Sequence, residues 1–239
     1  MVRSMRLLDD ADNNAGATAG NPAYFQLLGS TELFRGIDAA GLGAMLGCLG
    51  AKNVPVIKGG TILFAGDAPK NVGIVLEGML HVTRVDHDGN QALVAVLSPG
   101  DMFAEALCCA GVAESPVTVM ADADSTVVLL SFERILHICP NSCVFHSDLI
   151  RNMLRLIAGK NLMFQNHMEI LGLKTIRAKF LRYIESFGAR QGREVTIPLN
   201  REELANYLCV DRSALSHELM KMKREGLIGY KKNVFLLKH

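Results

Sequence analysis

The sequence predicts an α+β protein with an N-terminal β-roll of jelly-roll type, a long helix suited to dimerisation, and a C-terminal winged helix-turn-helix. Three observations carry this. Short β-prone runs alternate with turn signals from Asn53 to Glu133, at intervals of about 8–12 residues, as in a barrel or roll. An apolar register at alternating spacings of four and three runs from Ile150 to Leu171. The stretch Asn200 to Lys238 reads as two helices joined by a tight turn and followed by a small hairpin.

The C-terminal stretch is the most informative. A first helix is expected over about Arg201–Leu208, a turn at Cys209-Val210-Asp211, and a second helix over about Arg212–Glu225. Asp211 suits an N-cap, because its carboxylate can accept a backbone N–H that the first helical turn leaves unpaired. Gly226 can take the left-handed conformation that ends the helix. Leu215, Leu219 and Met222 recur at i, i+4, i+7 and must bury against Leu204, Tyr207 and Leu208 of the first helix. The opposite face carries Arg212, Ser213, Ser216 and His217 near its N-terminal end, the positions from which such helices reach base edges in the DNA major groove. Leu227-Ile228 and Val234–Leu237 are expected to pair across Gly229–Asn233 as a wing, with Lys231 and Lys232 at its tip for phosphate contact. An amphipathic helical hairpin that merely packs in a core would lack the polar N-terminal cluster and the basic wing.

Composition fits that division. The 239 residues carry a net charge of +1. From Lys174 onward, however, fourteen lysines and arginines stand against seven acidic residues, +7 on a remainder of −6. A basic end on an acidic body fits a DNA-binding domain joined to something else. The six cysteines, at 48, 108, 109, 139, 143 and 209, form no C-x-x-C pair, and no secretory signal is visible; reduced thiols in a cytoplasm are expected. No apolar run reaches the roughly 18 residues of a membrane helix. Residues 1–22 are rich in Ala, Gly, Asn and Asp and read as a loose tail.

In chain order, Tyr24–Leu49 reads as short helices. The strand runs are Val54–Ile57, Ile62–Phe64, Val72–Leu76, Leu80–Val85, Ala92–Leu97, Val117–Ala121 and Thr126–Ser131, with Asp88-Gly89-Asn90 a strong hairpin signal. The long helix is expected over 141–172, with Pro140 marking its start. Ile150, Leu154, Ile157, Asn161, Phe164, Met168 and Leu171 form a heptad seam with Asn161 at an a-type position, a device that fixes pairing register. A second stripe, Leu149, Met153, Leu156 and Met163, is expected to face the chain's own roll. Leu173-Lys174-Thr175 would be a hinge, followed by a helix over Ile176–Phe187 burying Ile176, Phe180, Leu181 and Ile184.

The segments KGGTILFAGDAPKNVGIVLEGMLHV and LSPGDMFAE, together with the C-terminal motif, resemble the CRP/FNR family of bacterial transcription regulators over nearly the whole chain. The resemblance implies a cyclic-nucleotide-binding-like sensor roll over 23–140, a dimerisation helix over 141–172 and a winged DNA-binding domain over 173–239. It also implies a homodimer, double-stranded DNA bound at an inverted-repeat promoter site, RNA polymerase as a partner, and an unidentified small-molecule effector.

Members that bind cyclic AMP hold its phosphate with an Arg-Ser pair about ten residues after a ribose-binding Glu. Glu105 matches that Glu, but the Arg-Ser positions read Ser115-Pro116, and no Arg or Lys lies between Arg84 and Arg134. The Thr-Ser pair that meets the adenine is Met163-Phe164. A buried phosphate needs a cation to offset its desolvation, so cyclic AMP is not the expected effector. The candidate effector pocket is Glu105, Ser115, Thr118, Met163 and Phe164, with an apolar wall. The iron–sulfur branch of the family uses an N-terminal cysteine cluster, absent before Cys48; the haem branch places Cys and His where this chain has Ala104 and Ala106. His81 and His87 read as surface or strand-packing residues rather than metal ligands, and Cys108-Cys109 as two small hydrophobes rather than a redox pair. No Gly-rich phosphate loop, H-E-x-x-H or nucleophile–base arrangement points to an enzyme. The competing reading is a ligand-binding regulatory module acting without DNA.

Overall fold

A computed structural model describes residues 21–85, 91–137 and 145–238. The N-terminal tail, the Asp88-Gly89-Asn90 turn, His87, Cys139, Pro140 and Cys143 lie outside the described residues. The chain divides into two compact units, 1–157 and 158–239.

In the first unit, helix α1 (Pro22–Ser30), a 3₁₀ turn (Glu32–Phe34) and α2 (Ala39–Cys48) precede the strands. Asn21 and Asp38 cap the two α-helices through their side chains. Strands β1 (Lys52–Val56), β2 (Thr61–Leu63), β3 (Asn71–Glu77), β4 (Leu80–Val85), β5 (Gln91–Leu97), β6 (Met102–Phe103), β7 (Thr118–Ala121) and β8 (Ser125–Ser131) follow, with α3 (Glu105–Ala110) inserted before β7 and α4 (Phe132–Leu136) after β8. They form two antiparallel four-stranded sheets, ordered β1-β8-β3-β6 and β2-β7-β4-β5.

Period-two alternation on β3 and β8 builds two cores at once. Val75, Val127 and Leu129 join Val56, Leu63, Leu80 and Val119 in one apolar cluster. Val72, Ile74, Val128 and Leu130 join Leu28, Phe34, Met45 and Leu46 of the helices in the other. That double burial explains the almost unbroken apolar runs. The β3–β4 turn needs Gly78: its φ is +89°, and a Cβ there would lie 2.2 Å from Ser125 Oγ and 2.6 Å from the Asp124 carbonyl.

The long helix α5 runs His146–Gly172. It begins later than the Pro140 signal suggested, with Phe145 still in a turn. Tertiary contacts fix this start: His146 is buried with Nε2 2.8 Å from the Ile135 carbonyl, and Asn152 donates through Nδ2 to the Leu33 and Arg35 carbonyls. Leu149 and Met153 are buried and Leu156 packs against the same core, as the second stripe requires. Met163 breaks that stripe. It belongs to the other unit and is 73% exposed.

The second unit holds the end of α5, then α6 (Ile176–Ser186), β9 (Glu194–Thr196), α7 (Arg201–Tyr207), α8 (Arg212–Arg224), β10 (Ile228–Lys231) and β11 (Val234–Leu237). Its sheet is β10-β11-β9. Two differences from the expected wing emerge. Gly229, Tyr230 and Lys231 are strand rather than linker, so the hairpin turn is only Lys232-Asn233, and β9 adds a third strand. Phe180 and Ile184 are buried, whereas Ile176 and Leu181 only pack against the core edge.

The final turns of α5 are built into this unit. Ile170 is fully buried in its core, His167 stacks on Tyr207 at 4.0 Å with Nε2 2.8 Å from the Tyr207 carbonyl, and Glu169 pairs with Arg182 at 2.9 Å.

Candidate nucleic-acid interface and sensor roll

Helix α7 starts with a reciprocal cap: the Asn200 side chain accepts from the Glu203 N–H, and the Glu203 carboxylate accepts from the Asn200 N–H. The chain then turns through Cys209, whose φ is +50°. Asp211 caps α8, accepting from the Ala214 N–H at 2.9 Å and from the Ser213 hydroxyl. The Ser213 hydroxyl, and then the Ala214 N–H, hold the Asp211 carboxyl below its ordinary range.

Leu215, Leu219 and Met222 bury one side of α8 against Leu204 and Leu208. Arg212, Ser213 and His217 stay exposed on the other side, and Ser216 is half-buried. The helix ends as expected: Gly226 has φ +77°, and Leu227 and Gly226 donate back to the Met222 and Lys223 carbonyls. Lys231 and Lys232 are exposed at the hairpin, with Lys232 at φ +54°.

Two basic residues escaped the sequence reading. Arg201 lies over the Tyr230 and Phe235 rings at 5.3 and 5.5 Å, and Lys223 lies over Tyr230 at 5.0 Å. Both tie helices to the wing. No spacing rule pairs a helix-start arginine with a strand aromatic thirty residues on.

The candidate effector residues are divided between the units. In the first, Glu105 is 4% exposed at the start of α3, following Ala104 in the left-handed conformation (φ +63°). Ser115 is buried, and its hydroxyl donates to the Val117 carbonyl at 2.7 Å. Thr118 Oγ1 accepts from the Ala65 N–H at 3.1 Å. Both hydroxyls serve the roll's own backbone. In the second unit Met163 and Phe164 are exposed.

Cys108 is a buried core member whose thiol lies 3.4 Å from the Pro69 carbonyl, and burial pushes its pKa up to about 11. Cys109 is exposed and also shifted upward by burial. Neither is an activated thiolate. His81 stands 3.9 Å from Asp122, just past the end of the neighbouring strand β7. Along α5, the expected seam residues Leu154, Phe164 and Met168 are 65–68% exposed, Asn161 is exposed, and Ile150, Ile157 and Leu171 are half-buried.

Residues 54–142 match the cyclic nucleotide-binding domain and residues 178–238 the Crp-like helix-turn-helix domain. The chain belongs to the CRP/FNR family. It is similar to the transcriptional activator protein FnrL of Cereibacter sphaeroides, at 25% identity over 188 residues, 72% of this chain and 70% of that one. It is also similar to the CRP-like cAMP-activated global transcriptional regulator of Mycobacterium tuberculosis, at 22% identity over 209 residues, 85% and 90% of the two chains. In structure it matches DNR from Pseudomonas aeruginosa with a TM-score of 0.51 and 20% identity, covering 91% and 94% of the respective chains. As a CRP/FNR member, the protein is a DNA-binding transcription regulator with a cyclic-nucleotide-binding-like sensor domain. No described helix is long and apolar enough to cross a membrane.

Proposed function

We propose that this regulator acts in the cytoplasm as a homodimer, reads an inverted-repeat promoter site with α8 and the β10–β11 wing, and answers to a signal in the roll other than cyclic AMP. It has no catalytic role in this reading. The observation that carries it is the polar N-terminal face of α8: Arg212, Ser213 and His217 are left uncovered on a helix whose opposite side is fully buried. A helix so presented is placed to enter a major groove, and two of them about 34 Å apart reach successive turns of DNA.

The exposed Leu154, Phe164 and Met168 support pairing along α5, because apolar side chains of that size at heptad spacing are normally covered by a second helix. The cyclic AMP-activated relative does not transfer its effector to this chain. The roll has no Lys or Arg between Arg84 and Arg134 to offset a buried phosphate, and Ser115 already bonds to its own backbone. In this reading the roll takes a small apolar or aromatic effector, or none.

Selection of promoter fragments at moderate salt, with and without a metabolite library, tests the DNA reading; enrichment of an inverted repeat is expected. Failure to select any sequence under all conditions would favour a ligand-binding module that works without DNA. Calorimetric titration tests the effector reading: no heat is expected with cyclic AMP, and micromolar binding overturns it.

A further inference from the structure

Helix α6 is tied to α8 by a guanidinium. Arg177, in the first turn of α6, donates from Nε to Glu218 Oε1 at 2.7 Å and pairs through Nη2 with Glu225 Oε2 at 2.8 Å. Glu218 lies on α8 and Glu225 is its C-cap in right-handed helical conformation; seven residues apart, they stand almost on one line, offset by about 20°. A cavity of about 890 Å³ opens beside them, and Ser213, His217 and Lys221 line it too. Two carboxylates thus share a cavity with side chains on the face assigned to DNA.

That placement poses an electrostatic problem. Double-stranded DNA carries one phosphate charge per roughly 1.7 Å of axis. Two unpaired carboxylates beside His217 and Lys221 would repel that backbone and cancel two of the cations on α8. The guanidinium solves it in a way that a lysine cannot. Its planar fork offers separate nitrogens to two acceptors, whereas an ammonium is a single point charge. The pairs are also partly shielded, with the side chains of Arg177, Glu218 and Glu225 only 32%, 21% and 37% exposed.

We propose that Arg177 is a positioning residue for DNA recognition: it draws Glu218 and Glu225 against α6 and neutralises them, so that the His217–Lys221 side of α8 can approach phosphates. The proposal rests on α8 being the DNA-reading helix. It differs from a plain structural strut, in which only the tie between α6 and α8 matters and the charge of the partners does not.

The test is equilibrium binding of the full-length protein to its selected site across a salt series. Arg177→Gln is expected to weaken binding to every sequence by about tenfold or more, since unpaired like charges facing each other are costly. Arg177→Lys should fall between that variant and wild type. The triple variant Arg177→Gln/Glu218→Gln/Glu225→Gln should return to within about threefold of wild type, because the repelling carboxylates are gone. A triple variant as weak as the single one, or an Arg177→Gln protein that binds like wild type, overturns the proposal.

If thermal melting shows that Arg177→Gln does not fold, Glu218→Gln/Glu225→Gln with Arg177 retained decides. It should bind at least as tightly as wild type, with a log–log salt slope steeper by about one, because the freed guanidinium adds a cation. Weaker binding in that variant overturns the proposal as well. A wild-type protein that selects no DNA would instead remove the DNA-reading role itself, so the two failures are distinguishable.

Discussion

At the scale of single residues, the proposed base reading by α8 turns on His217, exposed near its N-terminal end. An arginine can grip guanine O6 and N7 with two donors, whereas a neutral imidazole offers one donor and one acceptor. His217→Arg is therefore expected to add a guanine preference of about 1–3 kcal/mol at the facing base pair, read by site selection. The same half-site from both proteins would show that residue 217 does not read bases. Gly78 is a residue-scale constraint of another kind. Gly78→Ala adds a strained positive φ to an overlap with the Asp124 carbonyl, and the unfolding free energy of the roll should fall by at least about 2 kcal/mol in denaturant titration. Cys108 gives a pH signature. Its folded-state pKa is raised, so protonation favours the native state: the contribution is intact below the ordinary value near 9 and is lost as pH rises toward about 11. Removing the thiol as Cys108→Ala should flatten the fall in stability over that alkaline window.

At the scale of elements, α5 is one continuous helix whose two ends belong to different units. Leu149, Asn152 and Met153 fasten its first part to the roll's core, and His167, Glu169 and Ile170 fasten its end to the winged unit. Ile170→Ala should cost about 2–5 kcal/mol in the unfolding of the winged unit and leave the roll's own transition nearly unchanged. A loss confined to the roll would contradict the placement of Ile170. Between these anchored ends lies Asn161, exposed in the middle of the proposed seam. Asn161→Leu should raise the stability of the dimer and loosen its register, seen as a slower monomer exchange with weaker regulation. No change in either would place Asn161 outside the seam.

At the scale of the whole molecule, the charge asymmetry matters most. A body of net −6 carries an end of net +7, so DNA affinity should be steeply salt-dependent although the protein as a whole is nearly neutral. Lys231→Ala, at the wing, should weaken all sequences alike and flatten the salt slope by about one. A change of sequence preference in that variant would mean that the wing reads bases.

The order of elements was legible in the sequence because it rests on local periodicity. The apolar stripe of α8, its Asp211 cap and its Gly226 stop are decided by neighbours within four residues, and all three stand where the pattern put them. The seven main strands of the roll were legible for the same reason. Tertiary structure alone decided what depends on distant partners. Strand β9 exists because Glu194–Thr196 finds the free edge of β11, and the two-residue β6 because Met102-Phe103 finds β3. At the start of α5, buried His146 meets the carbonyl of Ile135, a partner outside the helix. The ion pairs of Arg177 and the ring contacts of Arg201 join residues 29 to 48 positions apart, and Ile170 sits in a core that reaches to Phe235. No periodic pattern records such meetings, because they arise only when separately formed elements pack and their side chains must satisfy one another's charge and shape.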